Sequence, residues 1–247
     1  MTKELRRLSI IMLFMFIALF AATSWIQVVE ADALAQNSNN KRTRLDSYEI
    51  QRGSIIVDGV AIASSVPSDD RYQFQRVYTD APMWEPVTGY FNPALGSSTG
   101  IERAMNAELS GTGSNAFLGE VERILSGQPQ RGYSVELSLN TAAQRAAYEA
   151  LDGLKGAVVA IDTKTGAVRA LVTSPSYDPN RLATHDLKAS RAAWEELQAD
   201  KSRPMANRAT REIYPPGSTF KLITAAAAIE AGMSPKTEID ASEYKLP

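Results

Sequence analysis

The run from Leu8 to Val29 constrains this chain more than any other segment. It holds 22 residues without a charge and is rich in Ile, Leu, Met and Phe. As an α-helix such a run reaches about 33 Å, enough to cross a hydrocarbon core of about 30 Å. Lys3, Arg6 and Arg7 precede it, Glu30 and Asp32 follow it, and Trp25 sits near its outer end. Basic residues mark the cytoplasmic flank of a span and aromatic residues its interfaces. The pattern predicts a cytoplasmic N-terminus, with the bulk after residue 30 extracytoplasmic. A cleaved signal peptide competes with this reading, because Ala33-Leu34-Ala35 resembles a small-residue cleavage site. The apolar region of a signal is only about 7–15 residues, which favours an uncleaved anchor. A buried core helix is the third reading, and the basic N-terminal flank disfavours it.

Composition then narrows the chemistry. The chain has 247 residues, no Cys and one His, His185. Without Cys there are no disulfides, Cys-zinc sites, thiol nucleophiles or dithiol redox motifs. One His makes a His-rich metal site implausible and leaves a single candidate base for a Ser-His-Asp triad. The net charge of −2 offers nucleic acid no general attraction. No cofactor or metal is expected, and catalysis would fall to Ser, Thr, Lys, Tyr or carboxylates.

Beyond the anchor, Gln36 to Arg44 is polar and basic and reads as a linker. Tyr48–Val57 and Val60–Ser65 are β-prone runs separated by Asp58-Gly59, a strong hairpin signal. Arg71–Tyr78 alternates and suggests a further strand. Pro82–Thr99, rich in Pro, Gly, Asn and Ser, reads mostly as loop. Ile101, Ala104, Met105 and Leu109 predict a helix over Gly100–Leu109 that Gly111 stops. Phe117–Leu125 reads as another short helix, and Ser126–Gly132 as a domain boundary. A short strand at Val135–Leu139 follows. Thr141 and Gln144 form a capping-box pattern before an Ala-rich helix that ends at Gly153. Ala157–Ile161 and Ala167–Thr173 read as strands joined by a turn at 162–166. Leu187–Gln198 reads as a helix, 201–217 as a loop ending in Pro215-Pro216-Gly217, and Ser218–Ala231 as a helix closed by Gly232.

Ser218-Thr-Phe-Lys221 opens that last helix. Residues three apart share a helix face, so the Ser218 hydroxyl and the Lys221 amine can meet. A serine attacks a carbonyl only if a base takes its proton, and a lysine is that base once burial or cationic neighbours lower its pKa. A helix N-terminus adds free N–H groups for the oxyanion. The tetrad alone is a weak signal. Ser38-Asn-Asn-Lys41 and Ser242-Glu-Tyr-Lys245 match it too, and an ordinary N-cap with a solvated lysine is the plainer reading of Ser218 and Lys221.

The surroundings change that balance. Arg203-Pro-Met-Ala-Asn-Arg-Ala209 followed by Tyr214-Pro-Pro-Gly-Ser-Thr-Phe-Lys221 resembles the active-site stretch of penicillin-binding proteins, the D,D-transpeptidases of peptidoglycan synthesis. Gly156–Asn180 resembles the first hairpin of their catalytic domain and the Ser-Tyr-Asp-Pro-Asn segment after it. Arg52-Gly-Ser-Ile55, Gly100-Ile-Glu102 and Leu109-Ser-Gly111 resemble the N-terminal module of the class B members, closest to the actinobacterial penicillin-binding protein A group. The resemblance implies a single transmembrane helix and cytoplasmic tail (1–35), then a linker and α+β pedestal module (36–132). The N-terminal portion of an α/β serine transpeptidase domain (133–247) would follow. It implies Ser218 as nucleophile, Lys221 as proton acceptor and the Ser218 N–H as half of an oxyanion hole. Peptidoglycan stem peptides and β-lactams would be the ligands, with cell-wall synthesis proteins as partners.

The superfamily also carries S-x-N and K-[ST]-G after the nucleophile. Neither follows Lys221 here. Lys164-Thr165-Gly166 precedes the nucleophile and reads as turn chemistry. Ser38-Asn-Asn40 fits S-x-N only by letters. The chain therefore reads as C-terminally truncated and inactive alone. Two alternatives stay open: a non-catalytic membrane-anchored scaffold, and a β-lactam sensor, which ordinarily has several spans. His185 reads as a surface loop residue, Asp69-Asp70 and Glu195-Glu196 as solvated faces, and Trp84 and Trp194 as packing residues more than carbohydrate platforms.

Overall fold

The computed structural model describes residues 2–30, 34, 49–70, 72–93, 95–112 and 130–238. The linker at 36–44, the helix expected at 117–125, most of the 126–132 boundary and both S-x-x-K decoys lie outside them. The chain divides into two compact units, Met1–Thr210 and Arg211–Pro247.

Helix α1 (Thr2–Val28) contains the charge-free run and is long and apolar enough to cross a membrane. The next elements are strands β1 (Ile55–Val57), β2 (Val60–Pro67) and β3 (Phe74–Tyr78). Asp58 and Gly59 take φ of 49° and 76° between β1 and β2. Two positive-φ residues give the tight hairpin its twist, which is why Asp-Gly stands there. The pairing runs Ile56↔Ala61 and Val57↔Val60, and Ala63 then faces Tyr78 across β3. Strand β6 (Val135–Glu136) adds to the far edge of β1 in parallel, giving the order β3-β2-β1-β6.

The segment expected as loop at Pro82–Thr99 is instead a buried helix, α2 (Ala81–Thr88), followed by a small hairpin, β4 (Phe91–Asn92) with β5 (Ser97–Ser98). Two prolines hid it. Pro82 lies in the first turn, where no N–H partner is needed. Pro86 lacks the donor that would have met the Pro82 carbonyl, and the Ser176 hydroxyl donates to that carbonyl instead, at 2.7 Å. Trp84 on this helix is only 2% exposed, a packing residue as expected. Gly100–Leu109 forms two short helices, α3 (Gly100–Ala104) and α4 (Asn106–Leu109), broken at Met105. Ile101, Met105 and Leu109 still pack on one core across the break.

Helix α5 (Thr141–Ala150) is not opened by a capping box. Asn140 is the N-cap, its Oδ1 accepting from the Ala143 N–H at 3.0 Å, and the Thr141 N–H donates to Asp58 at 2.7 Å. Gln144 is fully buried, and its side chain bonds the carbonyls of Met83 and Leu171 and the N–H of Leu171. Three backbone groups thus claim the amide that the box would have used. Strands β7 (Gly156–Ile161) and β8 (Val168–Ser174) form an antiparallel hairpin. Its turn is held by Asp162 Oδ1, which accepts from the Lys164 and Thr165 N–H groups. Lys164-Thr-Gly166 is therefore turn chemistry. Helices α6 (Asn180–Ala183) and α7 (Leu187–Ala199) follow, the latter capped by Asp186.

One core joins both sides of residue 132. Ile55, Val57, Ile62, Met83, Trp84 and Leu109 pack with Leu139 and Ala183. Beside it, Glu102 is fully buried between two guanidinium groups. Arg52 Nε lies 2.6 Å from Glu102 Oε2, and Arg76 Nε lies 2.6 Å from Oε1. Burial pulls the Arg52 guanidinium below its ordinary range, against the opposing pull of Glu102. Removing one partner of such a pair strands the other charges away from water and costs about 3–5 kcal/mol. Glu102→Gln, which keeps the shape and removes the charge, should lower stability by that amount in urea unfolding followed by circular dichroism. A loss under about 1 kcal/mol would show that the charge is not what holds these segments.

Glu85 makes a second test. Burial pushes its carboxyl up to about 8, against a smaller opposing pull from the Tyr177 hydroxyl. Between its ordinary 4.5 and about 8 the folded chain holds a proton that the unfolded chain releases. The contribution is full below pH 4.5 and falls as pH rises toward 8. Glu85→Gln should flatten that fall and raise stability at pH 8 relative to the parent. An unchanged pH–stability slope would refute it.

A candidate Ser-Lys active site

Two segments carry the residues that the sequence singled out. Within the first unit, Asn207 and Arg208 stand at the end of the 201–207 loop. Arg208 is 1% exposed, and its guanidinium donates to the carbonyls of Ser202, Arg203, Pro175 and Ala206. Its backbone N–H donates to Thr173 Oγ1 on β8 at 2.9 Å. Asn207 Nδ2 donates to the Pro86 carbonyl of α2 at 2.7 Å. A planar guanidinium holds several carbonyls in one plane as a flexible ammonium cannot. The motif Asn207-Arg208 was quoted from the sequence, but its role as a buried clasp was not legible there. A buried Arg leaves no periodic signal.

In the second unit, Gly217 takes φ 52°, a left-handed conformation that suits glycine. The expected single helix over 218–231 is two pieces. Gly217–Phe220 is a 3₁₀ turn, and helix α8 runs Lys221–Glu230. The turn is tight because both the N–H and the hydroxyl of Thr219 donate to the Pro216 carbonyl. Ser218 thus sits in the turn and is not the N-cap, and Lys221 is the first α-helical residue. Both are exposed, and among the described residues neither side chain has a hydrogen-bond or ion-pair partner. The structure places the two one helical turn apart without a bond between them. The apolar side chains around them, Phe220, Leu222, Ile223 and Ile229, are 54–75% exposed.

His185 is not a plain surface residue. Its side chain is 8% exposed, with Nδ1 2.6 Å from Asp70 Oδ2 and Nε2 3.2 Å from the Phe74 carbonyl. The Tyr72 ring packs against it at 4.7 Å. Asp70 is accordingly an ion-pair partner, not only a solvated charge. Glu196 likewise pairs with Arg181 at 2.5 Å. No His, Asp and Glu cluster able to hold a metal occurs among the described residues.

With this geometry in hand, comparison with known proteins places the chain. Residues 52–135 match the penicillin binding protein A dimerisation domain, and residues 156–247 match the penicillin binding protein transpeptidase domain. The chain belongs to the penicillin-binding proteins. The peptidoglycan D,D-transpeptidase PbpA of Mycolicibacterium smegmatis is 42% identical over 97% of this chain and 50% of its own length. The protein of that name in Mycobacterium tuberculosis is 39% identical over 98% of this chain and 50% of its own. An imipenem acyl-enzyme complex of penicillin-binding protein A from M. tuberculosis superposes with TM-score 0.75 and 43% identity. It covers 78% of this chain and 45% of that one. The chain therefore spans about half the length of the curated relatives it matches.

The Arg208 clasp can be tested apart from catalysis. Arg208→Ala leaves four partly buried carbonyls short of a donor, at about 1 kcal/mol for the worst placed of them. Arg208→Lys keeps the charge but loses the fork, and should recover only part of that loss. Amide exchange over 200–211 should accelerate in both. Protection equal to the parent in Arg208→Ala would show that the guanidinium does not hold the loop.

Proposed function

We propose that this chain carries the acylating residues of a class B peptidoglycan D,D-transpeptidase. Ser218 Oγ attacks the penultimate D-Ala carbonyl of a stem peptide, and Lys221 takes its proton. The leading N–H groups of the 217–220 turn, that of Ser218 included, face the developing oxyanion. D-Ala leaves, and an amine of a neighbouring stem resolves the ester. A β-lactam amide, opened by the same hydroxyl, gives a stable acyl-enzyme. The observation that carries this reading is Tyr214–Lys221 itself, with Ser218 and Lys221 one turn apart behind a helix-breaking Pro-Pro-Gly. The relatives whose acyl-enzymes are known with imipenem and penicillin G support it.

The anchor α1 would place the N-terminus in the cytoplasm and residues beyond 30 outside, where stem peptides are found. Residues 36–132 would form the pedestal and 133–247 the first part of the transpeptidase domain. A second reading, a membrane-anchored scaffold for cell-wall synthesis proteins, is favoured by one feature. The core and the buried ion network both lie within residues 1–210, independently of Ser218. Treatment with a fluorescent penicillin separates the two. Slow labelling at one site, located by mass spectrometry at Ser218 and abolished in Ser218→Ala and Lys221→Ala, supports the enzyme. A label on another residue, or labelling unchanged in Ser218→Ala, overturns it and leaves the scaffold.

A further inference from the structure

Trp194 differs from Trp84. It stands on the outer side of helix α7 and is 40% exposed. It borders a cavity of about 370 Å³ whose walls are Tyr90, Leu95 and Ser97 from the β4–β5 hairpin and Arg191, Trp194 and Glu195 from α7. The floor is already satisfied. Tyr90 is buried, and its hydroxyl pairs with Ser97 Oγ at 2.6 Å. The rim is not. Arg191 and Glu195 are four apart on the helix, where opposite charges commonly pair. Among the described residues neither makes an ion pair or a side-chain hydrogen bond. The adjacent Glu196 does pair, with Arg181. So one exposed indole face, one free guanidinium and one free carboxylate surround an apolar recess whose lining includes neither Ser218 nor Lys221.

We infer that this cleft binds a pyranose ring of an N-acetylated amino sugar, as found in the glycan strands of peptidoglycan. The C–H face of a pyranose is apolar and packs flat on indole, and its hydroxyls lie at the edge. A guanidinium offers donors and a carboxylate offers acceptors, the complement that a ring of hydroxyls needs. The acetamido methyl fits the recess formed by Leu95 and the Tyr90 ring. The volume is at the low end for a small-ligand site, about 300–1,000 Å³, and suits one or two sugar rings. A protein partner would need about 800 Å² of its own surface buried, far more than this cleft presents. The inference rests on the reading that the chain works at peptidoglycan. It would give the chain a hold on the glycan strand through residues other than Ser218 and Lys221.

The test uses the full 247-residue chain in a zwitterionic detergent, since alkyl-glycoside detergents would compete. The probe is chitotetraose, with cellotetraose, which lacks the acetamido groups, as control. Calorimetry should show saturable chitotetraose binding. Trp194→Ala should weaken it by about tenfold or more, and Arg191→Ala with Glu195→Ala together by several-fold. Trp194→Phe should retain most of it, and circular dichroism checks each fold. No saturable binding, or binding unchanged in Trp194→Ala, overturns the inference. Equal affinity for cellotetraose overturns the acetamido assignment. Penicillin labelling on the same samples separates the two readings. Lost sugar binding with Ser218 still labelled defeats only this site, and retained sugar binding with the label on another residue defeats only the Ser-Lys reading.

Discussion

The Glu102 carboxylate holds together segments that hydrophobic contact alone would leave loosely specified. Arg52 comes just before β1, Arg76 lies on β3 and Glu102 on α3. One carboxylate receives both guanidinium groups at 2.6 Å, and the Tyr78 hydroxyl donates to it at 3.2 Å. Arg52 also reaches the Glu102 carbonyl and Asn106, and its guanidinium lies 4.1 Å from the centre of the Phe91 ring. Bringing three charges out of water costs several kcal/mol each, which such contacts recover only when geometry is good and other polar atoms are met. Here most are met. Arg76 Nη1 donates to the Gly53 carbonyl, and only its Nη2 lacks a partner among the described residues. The network therefore contributes specificity more than net stability: any other register strands a charge. Gly53 shows how closely the segments are drawn together. A Cβ there would lie 1.9 Å from the Tyr133 carbonyl oxygen.

The same reasoning extends across residue 132. Several side-chain amides bond particular groups across it. Asn180 Oδ1 accepts from the Tyr78 N–H and its Nδ2 donates to the Tyr78 carbonyl. Asn92 donates to Ser190 Oγ and to the Leu182 carbonyl, and Gln75 donates to the Ala183 carbonyl at 2.7 Å. An apolar interface tolerates sliding, but a set of buried and partly buried amides bonded to particular groups does not, because an unmatched buried group costs about 1–3 kcal/mol. The described residues on either side of 132, up to Thr210, consequently pack as one compact unit on a shared core.

What the sequence disclosed follows from how local each signal is. Asp58-Gly59, the alternation before Tyr78 and the Asp162 turn depend on neighbours a few residues away, and all three appear where expected. Helix α2 was hidden because Pro82 and Pro86 weigh against a helix locally, while the groups that rescue it, Ser176 and Asn207, are far along the chain. The Thr141–Gln144 pattern failed for the same reason: distant backbone groups on Met83 and Leu171 took the amide. His185 was misjudged because its partners, Asp70 and Phe74, are more than 100 residues away in sequence. The choice of Ser218 and Lys221 rests on motif resemblance. The break between 3₁₀ turn and α-helix was not legible, since it depends on how the Pro216 carbonyl is bonded.

That break bears on the chemistry. A lysine serves as a base only where desolvation or neighbouring charge disfavours its ammonium form. Ser218 and Lys221 are exposed, and so are Leu222, Ile223 and Ile229 on the same short helix. An Ala-rich helix of ten residues has little stability of its own in water and gains it mainly by packing an apolar face. The surface that packs on Leu222 and Ile223 would also strip water from Lys221, the residue next in the chain. On the proposed Ser-Lys reading, stabilising the helix and activating Lys221 are then one event: burial of about a single turn. On that reading a substitution on the apolar face changes acylation rate and helix stability together, whereas one at Ser218 changes the rate alone.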